Sequence, residues 1–556
     1  MAGLKIKTRP ATQSRRGSKV RSKIAASTKI GAVPADESAK QGAVALPSPW
    51  ITSPGSDLVF FVATPILIVP LILLTLRYAG PSQLDLYVAA FGALGHHLPG
   101  MMRAYGDRAL FSRFKVRFTL APAFLVAVCL YFAFTEPKAT TLLAYLWAVW
   151  HAAMQTHGFL RIYDAKREST APPTRILDQA ACLSWFAAAV LLSPTRVPYV
   201  LEGLYMAGVP KIPLPVLQWV QQGVVGLTAV ITLAYLVNAL AAWKAGRPPS
   251  PVKILLLVTT VSFFWYANVT IPNLLVGIVV WELFHDVQYL AIVWLFNKSR
   301  AETDPNVGAF TRLVFGRGRA MVLLYLGLIL AYGSLDLVRQ ALPPEFPAKV
   351  LGGILAASAL LHFYYDGFIW KVRERETRAS LGIEGGQEFA PRRGGVPPWL
   401  VHGAKWSLFF VLPVSLLAVG WRTGRMDPNE MTLAIVEASS DVPEIQFNLG
   451  ITLESRGDSE GAIAANRKAL SLDPIDPETR LRASINLARS LVELAQRKIA
   501  AGASRSAALA ENRADWEAAL DHVRRARDSF PADPEVARFA EVVEAAASEA
   551  LRASVP

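Results

Sequence analysis

Long apolar runs constrain the fold of this 556-residue chain more than any other feature. A helix needs about 20 apolar residues to cross the roughly 30 Å hydrocarbon core of a bilayer. Eleven runs between residues 57 and 421 approach that length, although the fifth and seventh are short. They cover residues 57–77, 84–105, 117–135, 141–163, 176–193, 216–243, 252–268, 272–296, 319–338, 348–370 and 400–421. We therefore expect an all-α fold, with a multi-pass transmembrane domain of about eleven spans over residues 57–421.

Composition excludes several other classes of protein. Hydrophobic residues make up 53% of the chain and charged residues only 18%. These values exclude a disordered chain, a fibrous repeat and a secreted disulfide scaffold. The two cysteines, Cys129 and Cys182, both lie in apolar runs, so neither a disulfide framework nor a cysteine-based zinc site is expected.

The charges of the connecting loops predict the orientation. The loops after the even-numbered runs carry 23 Lys and Arg residues, and those after the odd-numbered runs carry 5. Cytoplasmic loops are enriched in Lys and Arg. We therefore place the N-terminus and the basic loops in the cytoplasm, and an odd number of spans puts the C-terminus on the outer or periplasmic side of the inner or plasma membrane.

The N-terminal segment is strongly basic. Residues 1–35 contain nine Lys and Arg residues and no acid. We interpret residues 1–50 as a disordered cytoplasmic tail, with a transit peptide as the alternative. Residues 1–425 carry a net charge of +21 and residues 426–556 one of −7. Because the basic excess accompanies the apolar part, it predicts loops beside a membrane rather than nucleic-acid binding.

Seven of the eight histidines lie in or at the edge of the apolar runs, and only His522 lies in the C-terminal part. The predicted topology puts all seven in the cytoplasmic half of the bilayer. Ionisable residues inside a membrane are costly and usually mark function. The seven are His96, His97, His151, His157, His285, His362 and His402.

The neighbours of these histidines predict a metal site. Glu282 precedes His285 by three residues, which is the Glu-x-x-His spacing of di-iron carboxylate bundles. Asp366 follows His362 by four residues, a spacing suited to a ligand and its orienting carboxylate. A set of histidines and carboxylates without thiolate suits iron, copper, zinc or manganese. The candidate metal ligands are His96, His97, His151, His157, Glu282, His285 and His362.

Other polar residues near the same histidines are candidates for supporting roles. Asp286 and Asp366 would orient ligands or bind water, as would Gln155, which shares a helix face with His151. Tyr289 and Tyr365 would supply protons or hydrogen bonds. Of these, Asp286, Asp366 and Tyr289 are the predicted catalytic residues.

In this constellation the chain resembles the histidine-rich integral-membrane non-haem iron oxygenases, which include fatty-acid desaturases and hydroxylases and the carotene-cleaving dioxygenases. The resemblance is one of character, since the HxxxH and HxxHH boxes of the desaturases are absent and His96–His97 is only the end of such a box. It implies an iron-dependent oxidoreductase that hydroxylates, desaturates or cleaves a lipid or other apolar substrate. A cytoplasmic electron donor could then dock on basic loops such as residues 103–117, and haem is the alternative cofactor.

The acidic C-terminal part, residues 426–556, resembles tetratricopeptide repeats. The first copy covers residues 443–476 and a looser one follows at Asn486–Leu487–Ala488. The first copy has Leu449, Gly450, Leu453, Gly457, Ala462, Ala469 and Pro474 at the repeat's spacing, and the second has Ala519, Ala526 and Pro531. The resemblance implies stacked helix pairs whose concave face binds a partner protein.

Two other function classes remain open. Multi-pass domains followed by such repeats also occur in polyprenyl-linked glycosyltransferases, but the acidic pair of their first outer loop is represented here only by Asp85. A transporter or a membrane scaffold that recruits a partner through its repeats is the third possibility, for which paired broken helices would be the sign.

Overall fold

The computed structural model is helical throughout the residues it describes, with no strand among them. The described residues are 48–78, 81–135, 137–167, 171–304, 307–316, 318–371, 375–381, 383, 397–473, 475–529 and 534–553. The all-α prediction is confirmed. The predicted cytoplasmic tail, except for residues 48–50, and the repeat positions Pro474 and Pro531 lie outside the described residues.

The described residues from Pro54 to Thr423 form sixteen α-helices and three π-helical segments, which we number in chain order. The α-helices are α1 (Pro54–Asp57), α2 (Thr64–Leu76), α3 (Pro81–Tyr87), α4 (His97–Gly106), α5 (Arg108–Thr135), α6 (Pro137–Lys166), α7 (Pro172–Leu191), α8 (Arg196–Met206), α9 (Leu214–Lys244), α10 (Pro251–Trp265), α11 (Leu274–Thr303), α12 (Ala309–Val314), α13 (Arg319–Ala341), α14 (Phe346–Ile369), α15 (Arg375–Ser380) and α16 (Pro398–Thr423). The π-helical segments are π1 (Leu58–Val62), π2 (Val88–Leu94) and π3 (Tyr266–Thr270).

Six helices of the described chain are long and apolar enough to cross a membrane, and eight if each of two bent helix pairs forms one span. The six are Arg108–Thr135, Leu214–Lys244, Pro251–Thr270, Leu274–Thr303, Ala320–Ala341 and Phe346–Ile369. The bent pairs correspond to the predicted runs 57–77 and 176–193. The count of eleven stays a prediction, because runs 84–105, 141–163 and 400–421 are not among these helices.

Run 84–105 is not one continuous helix. It consists of α3, π2, a turn and then α4, which begins at His97. A π-helical segment adds a residue to a helical turn and often occurs at functional sites. The interruption therefore lies beside the first two candidate ligands.

Helices α6, α7 and α10 are joined by buried charges. The Lys253 ammonium on α10 donates to Asp164 Oδ2 on α6 at 2.9 Å and to Asp178 Oδ2 on α7 at 2.7 Å. Arg161 also pairs with Asp164 Oδ2 at 2.7 Å. Two cations and two carboxylates thus offset one another where solvent is absent, as buried charges require.

The described C-terminal residues form seven further helices, of which the first five pack successively on one another, the fourth also packs on the sixth, and the sixth packs on the seventh. Gly450 permits one close approach, because a Cβ there would lie 2.4 Å from Asn466 Nδ2 on the next helix. The helices are α17 (Pro428–Ala438), α18 (Pro443–Ser455), α19 (Ser459–Ser471), α20 (Pro477–Ala500), α21 (Arg505–Ala510), α22 (Arg513–Ser529) and α23 (Pro534–Ala553).

These C-terminal helices pack on one end of the helical bundle. A shared apolar cluster includes Leu201 and Tyr205 of α8 and Ile435 of α17. Polar contacts add the Asn273 amide, which donates to Asp476 Oδ1 at 3.2 Å. Loop 194–214, which follows the fifth run and is poor in Lys and Arg, lies at this end, since Lys211 pairs with Glu437 of α17.

Candidate metal centre

Helices from four distant parts of the chain bring five histidine rings together. His96 and His97 lie at the start of α4, and His151, His285 and His362 lie on α6, α11 and α14. Neighbouring ring centroids in this cluster are 4.7–5.3 Å apart. All five residues are buried. The sequence predicted their common depth, and the fold brings them into contact.

The spacing of two imidazole nitrogens fits a metal ion. His96 Nε2 lies 3.2 Å from His362 Nε2. Two ligands at bonds of about 2.1 Å are roughly 3.0 Å apart at a right angle and roughly 3.4 Å apart at the tetrahedral angle. The observed distance lies between these limits. His285 completes a group of three nitrogens that lie within 4.8 Å of one another.

The other nitrogen of His96 is held by two acceptors. His96 Nδ1 lies 3.0 Å from the Gly92 carbonyl oxygen and 2.7 Å from Asp286 Oδ1. Because a carbonyl oxygen can only accept, the proton belongs on Nδ1, and Nε2 presents a lone pair toward His362. A carboxylate behind a histidine is the usual arrangement around metal-binding imidazoles. Asp286 therefore lies where an orienting carboxylate would lie, and its role stays a prediction.

Asp366 presents one carboxylate oxygen to the cluster and binds the protein with the other. Its Oδ1 accepts from the Tyr289 hydroxyl at 3.1 Å and from the Trp370 indole N–H at 2.8 Å. Its Oδ2 lies 3.7 Å from His362 Nε2 and 3.9 Å from His151 Nε2. Both distances are below the roughly 4.2 Å that separates ligands on opposite sides of one ion with bonds of about 2.1 Å. Asp366 thus has the geometry of a ligand rather than only that of an orienting group.

Several buried polar atoms of the cluster have no hydrogen-bond partner among the described residues. They include His97 Nδ1, His151 Nε2 and His362 Nδ1. Buried side-chain nitrogens and oxygens in folded proteins are rarely left without a partner. Of these, His151 Nε2 belongs to the donor group with His362 and Asp366, where a bound cation would satisfy it.

Two glycines allow the helices to approach the site. A Cβ on Gly100 would lie 2.9 Å from the Tyr289 hydroxyl and 3.4 Å from His362 Nδ1. A Cβ on Gly92 would lie 2.3 Å from Asp286 Oδ2. A side chain at either position would therefore displace a group of the site.

The cluster contains two groups of donor atoms, one from His96, His285 and His362 and the other from His151, His362 and Asp366. Several other predicted residues lie outside both groups. Glu282 and His157 belong to neither group among the described residues. Gln155 donates from Nε2 to the His285 carbonyl oxygen at 3.2 Å and so links α6 to α11. The Tyr365 hydroxyl is 2.7 Å from that of Tyr105.

The last two histidines lie elsewhere. His402 Nε2 is 3.1 Å from the Tyr364 hydroxyl, and the His402 ring packs beside Phe368 and Trp406. His522 lies in α22, outside the membrane helices.

A cavity of about 150 Å³ adjoins the donor group of His151 and Asp366. It lies between α6, α11 and α14, with Thr377 of α15 and the adjacent Leu381 in its lining. A small-molecule site is typically a mostly apolar hollow with a few polar groups. This cavity has that character beside the candidate metal ligands.

Three residues of the candidate metal centre were not predicted from the sequence, namely Trp370, Gly92 and Gly100. Trp370 follows Asp366 by four residues, which is one helical turn and could have indicated it. Gly92 precedes His96 by four residues and Gly100 follows His97 by three, so the same spacing applies. Without known partners on other helices, nothing distinguished these glycines from the rest of the chain's 37.

Comparisons with protein-family models, with curated proteins and with solved structures find no match for this chain.

Proposed function

We propose that this protein is a metal-dependent membrane oxidoreductase that acts on a lipid or other apolar substrate. The observation that carries the proposal is the convergence of two donor groups that share His362, one with His96 and His285 and the other with His151 and Asp366, beside an apolar cavity. Ionisable residues that meet inside a membrane domain, close to a hollow, are the usual mark of a functional site.

Iron is the metal proposed first. Imidazole nitrogens combined with one carboxylate oxygen suit non-haem iron, and also copper, zinc or manganese. His96, His285 and His362 would hold the ion, with His151 and Asp366 as further ligands. A redox-active ion there would supply electron transfer and the activation of oxygen.

The protein's own residues would set up the site. Asp286 holds the proton of His96 on Nδ1, and Tyr289 and Trp370 fix the Asp366 carboxylate. The Tyr289 hydroxyl, 3.1 Å from Asp366 Oδ1, would be a proton source for that carboxylate. The aromatic and aliphatic cavity walls would exclude water and hold the substrate.

The reaction would use molecular oxygen as the oxidant. In hydroxylation, one oxygen atom enters a carbon–hydrogen bond and the other leaves as water, with two electrons and two protons from a donor. Desaturation removes two hydrogens from the substrate, and the same two electrons and two protons complete the reduction of oxygen to two waters. Oxidative cleavage of a double bond places one oxygen atom on each carbon and needs no external electrons.

The proposed orientation puts this site toward the cytoplasm and the C-terminal helices outside. A cytoplasmic electron donor would then meet basic loops such as residues 103–117. We propose that residues 426–556 form a tetratricopeptide-like domain that recruits a partner protein on the other side. Chemistry and recruitment would thus take place on opposite faces of the membrane.

The first test is the metal content of the purified full-length protein, measured by mass spectrometry after purification without chelators. A His285→Ala/His362→Ala variant removes two donors, and His522→Ala is the matched control because it lies outside the membrane helices. We expect close to one or two iron ions per chain in the parent and the control, and less than about a tenth of that in the double variant. A folded parent without a transition metal would contradict the proposal.

A further inference from the structure

Most polar side chains that line the cavity beside the candidate metal centre lie next to that centre, and Thr377 of α15 adds a further hydroxyl group. His151, Gln155, Tyr289 and Asp366 supply its polar groups near the centre. Five aromatic side chains make up much of the remaining wall, namely Trp150, Phe159, Phe296, Phe363 and Trp370. An occupant would therefore place its reacting part at the polar end and an apolar part between the rings.

No Lys or Arg side chain lines this cavity within the described chain. The nearby Arg103 guanidinium is not in the lining but stacks on two residues that are, with its central carbon 4.1 Å from the ring centroids of both Phe296 and Trp370. A phosphate or carboxylate head group would thus lack a cation inside the cavity. The occupant is expected to be uncharged where it fills the cavity.

The size of the cavity restricts the occupant further. Water occupies about 30 Å³ per molecule in the liquid, so 150 Å³ holds roughly five groups of that size. That space fits the last few carbons of one hydrocarbon chain. It is too small for a phospholipid head group together with its two chains, so the rest of the occupant must extend outside.

Gly158 of α6 leaves part of this wall open. A Cβ built on Gly158 has no atom within 4 Å, although the residue lines the cavity. The first carbon of a side chain here would therefore meet free space. Gly367, which also lines the cavity, differs because a Cβ there would lie 2.1 Å from Trp406.

We propose that the cavity binds the terminal segment of a single-chain neutral lipid, an alkyl or prenyl chain that enters end first and places carbons near its end beside His151 and Asp366. The head group of this lipid stays outside the cavity. Oxidation of the chain end at this position rests on the function proposed above, whereas binding of the chain does not.

Photocrosslinking tests the binding of the chain. The probe is hexadecanol with a diazirine at its terminal carbon, added to the full-length protein in detergent. We expect adducts within residues 150–163 of α6 and 289–296 of α11, mapped by mass spectrometry. Excess unlabelled hexadecanol should reduce these adducts, and a diazirine beside the hydroxyl group should yield at least tenfold fewer of them.

Two substitutions separate the cavity from the lipid-exposed surface. Gly158→Phe fills the cavity and should lower labelling of these segments at least tenfold. Gly226→Phe is the matched control, since Gly226 lies inside α9, is exposed and would also meet no atom within 4 Å. Gly158→Leu is a smaller second variant in case the Phe variant does not fold. Labelling that persists in a folded Gly158 variant would overturn the proposal, as would equal labelling by the two diazirine positions.

The same preparations distinguish this proposal from the proposed function. Iron content should be unchanged in the Gly158 variants. Bound iron without Gly158-dependent labelling overturns the chain-binding site and leaves the metal centre standing. Gly158-dependent labelling without iron in any preparation supports the chain-binding site and removes the oxidoreductase. A phosphatidylcholine with the same terminal diazirine should label these segments at least tenfold less than the alcohol, and equal labelling would overturn the single-chain assignment.

Discussion

Asp286 and Asp366 illustrate how two carboxylates of one site take different roles. Asp286 lies behind His96 and contacts the nitrogen that faces away from the other imidazoles. Asp366 is anchored through Oδ1 by Tyr289 and Trp370, and its Oδ2 faces two histidines. The position of each oxygen relative to the imidazole nitrogens is the reason why we propose Asp366, and not Asp286, as a metal ligand.

We predict that Asp366→Asn impairs metal binding more than Asp286→Asn does. Loss of an orienting partner typically costs about 10- to 100-fold in metal affinity, and loss of the ligand itself should cost more. Competition with a chelator of known affinity measures both variants. Trp370→Phe, which removes one hydrogen bond to Asp366 but keeps a ring, should have the smallest effect. Equal affinities for the two aspartate variants would contradict the assigned roles.

Gly100 gives a second prediction at this scale. Gly100→Ala should displace Tyr289 or His362, because the added methyl group would lie 2.9 Å from one and 3.4 Å from the other. We expect metal occupancy to fall at least severalfold while the protein remains folded. Gly106→Ala is the matched control, since it lies in the same helix and its Cβ would meet no atom within 4 Å. Equal metal content in the two variants would refute this account.

At the scale of elements, the bundle is held by polar as well as apolar contacts. Lys253 lies fully buried on α10 and joins the carboxylates of α6 and α7. The α6 helix also carries His151 and part of the cavity wall. The charge network therefore stabilises a helix on which the candidate site depends.

We predict that Lys253→Met is strongly destabilising, because it leaves Asp164 and Asp178 buried with Arg161 as their main cation. Removing one partner of a buried ion pair typically costs about 3–5 kcal/mol. The variant Lys253→Met/Asp178→Asn restores the balance of charge and should recover more than half of that loss. Denaturant titration in detergent micelles measures the free energy of unfolding of all three proteins. A double variant no more stable than Lys253→Met would show that charge balance is not the cause.

At the scale of the whole molecule, the two ends of the bundle differ in the charge predicted for their loops. The C-terminal helices pack on the end that carries loops poor in Lys and Arg. The loops rich in Lys and Arg are predicted for the opposite end. The C-terminal helices therefore pack on the end opposite to the predicted basic loops, as is expected when successive loops alternate between the two ends.

We predict that single cysteines placed at the two ends react from opposite sides of a membrane. Ala503→Cys in the C-terminal part and Lys211→Cys in the loop 194–214 should react with an impermeant maleimide from the outer side. Arg108→Cys should react only from the cytoplasmic side. The two native cysteines are buried and should give a low background in the parent. Labelling of Ala503→Cys and Arg108→Cys from one side would contradict an odd number of spans.

Much of the architecture was predictable from the sequence, since the length of an apolar run and the position of a histidine within it set depth along a helix. The all-α fold and the meeting of His97, His151, His285 and His362 at one level followed from these one-dimensional properties. The break in run 84–105 was not predicted, because glycine and proline, which this run contains at Gly92, Gly95 and Pro99, are also frequent inside continuous transmembrane helices.

Which faces of the helices meet one another was decided only by the tertiary structure. His96 and His362 are 266 positions apart, yet their Nε2 atoms are 3.2 Å apart. His151 joins this cluster while His157, rotated about 120° on the same helix, joins neither donor group. Helices that are apolar all round carry no amphipathic stripe to indicate their rotation. The facing of these residues is therefore determined by packing between helices, including the close approaches at Gly92 and Gly100, and not by the local sequence.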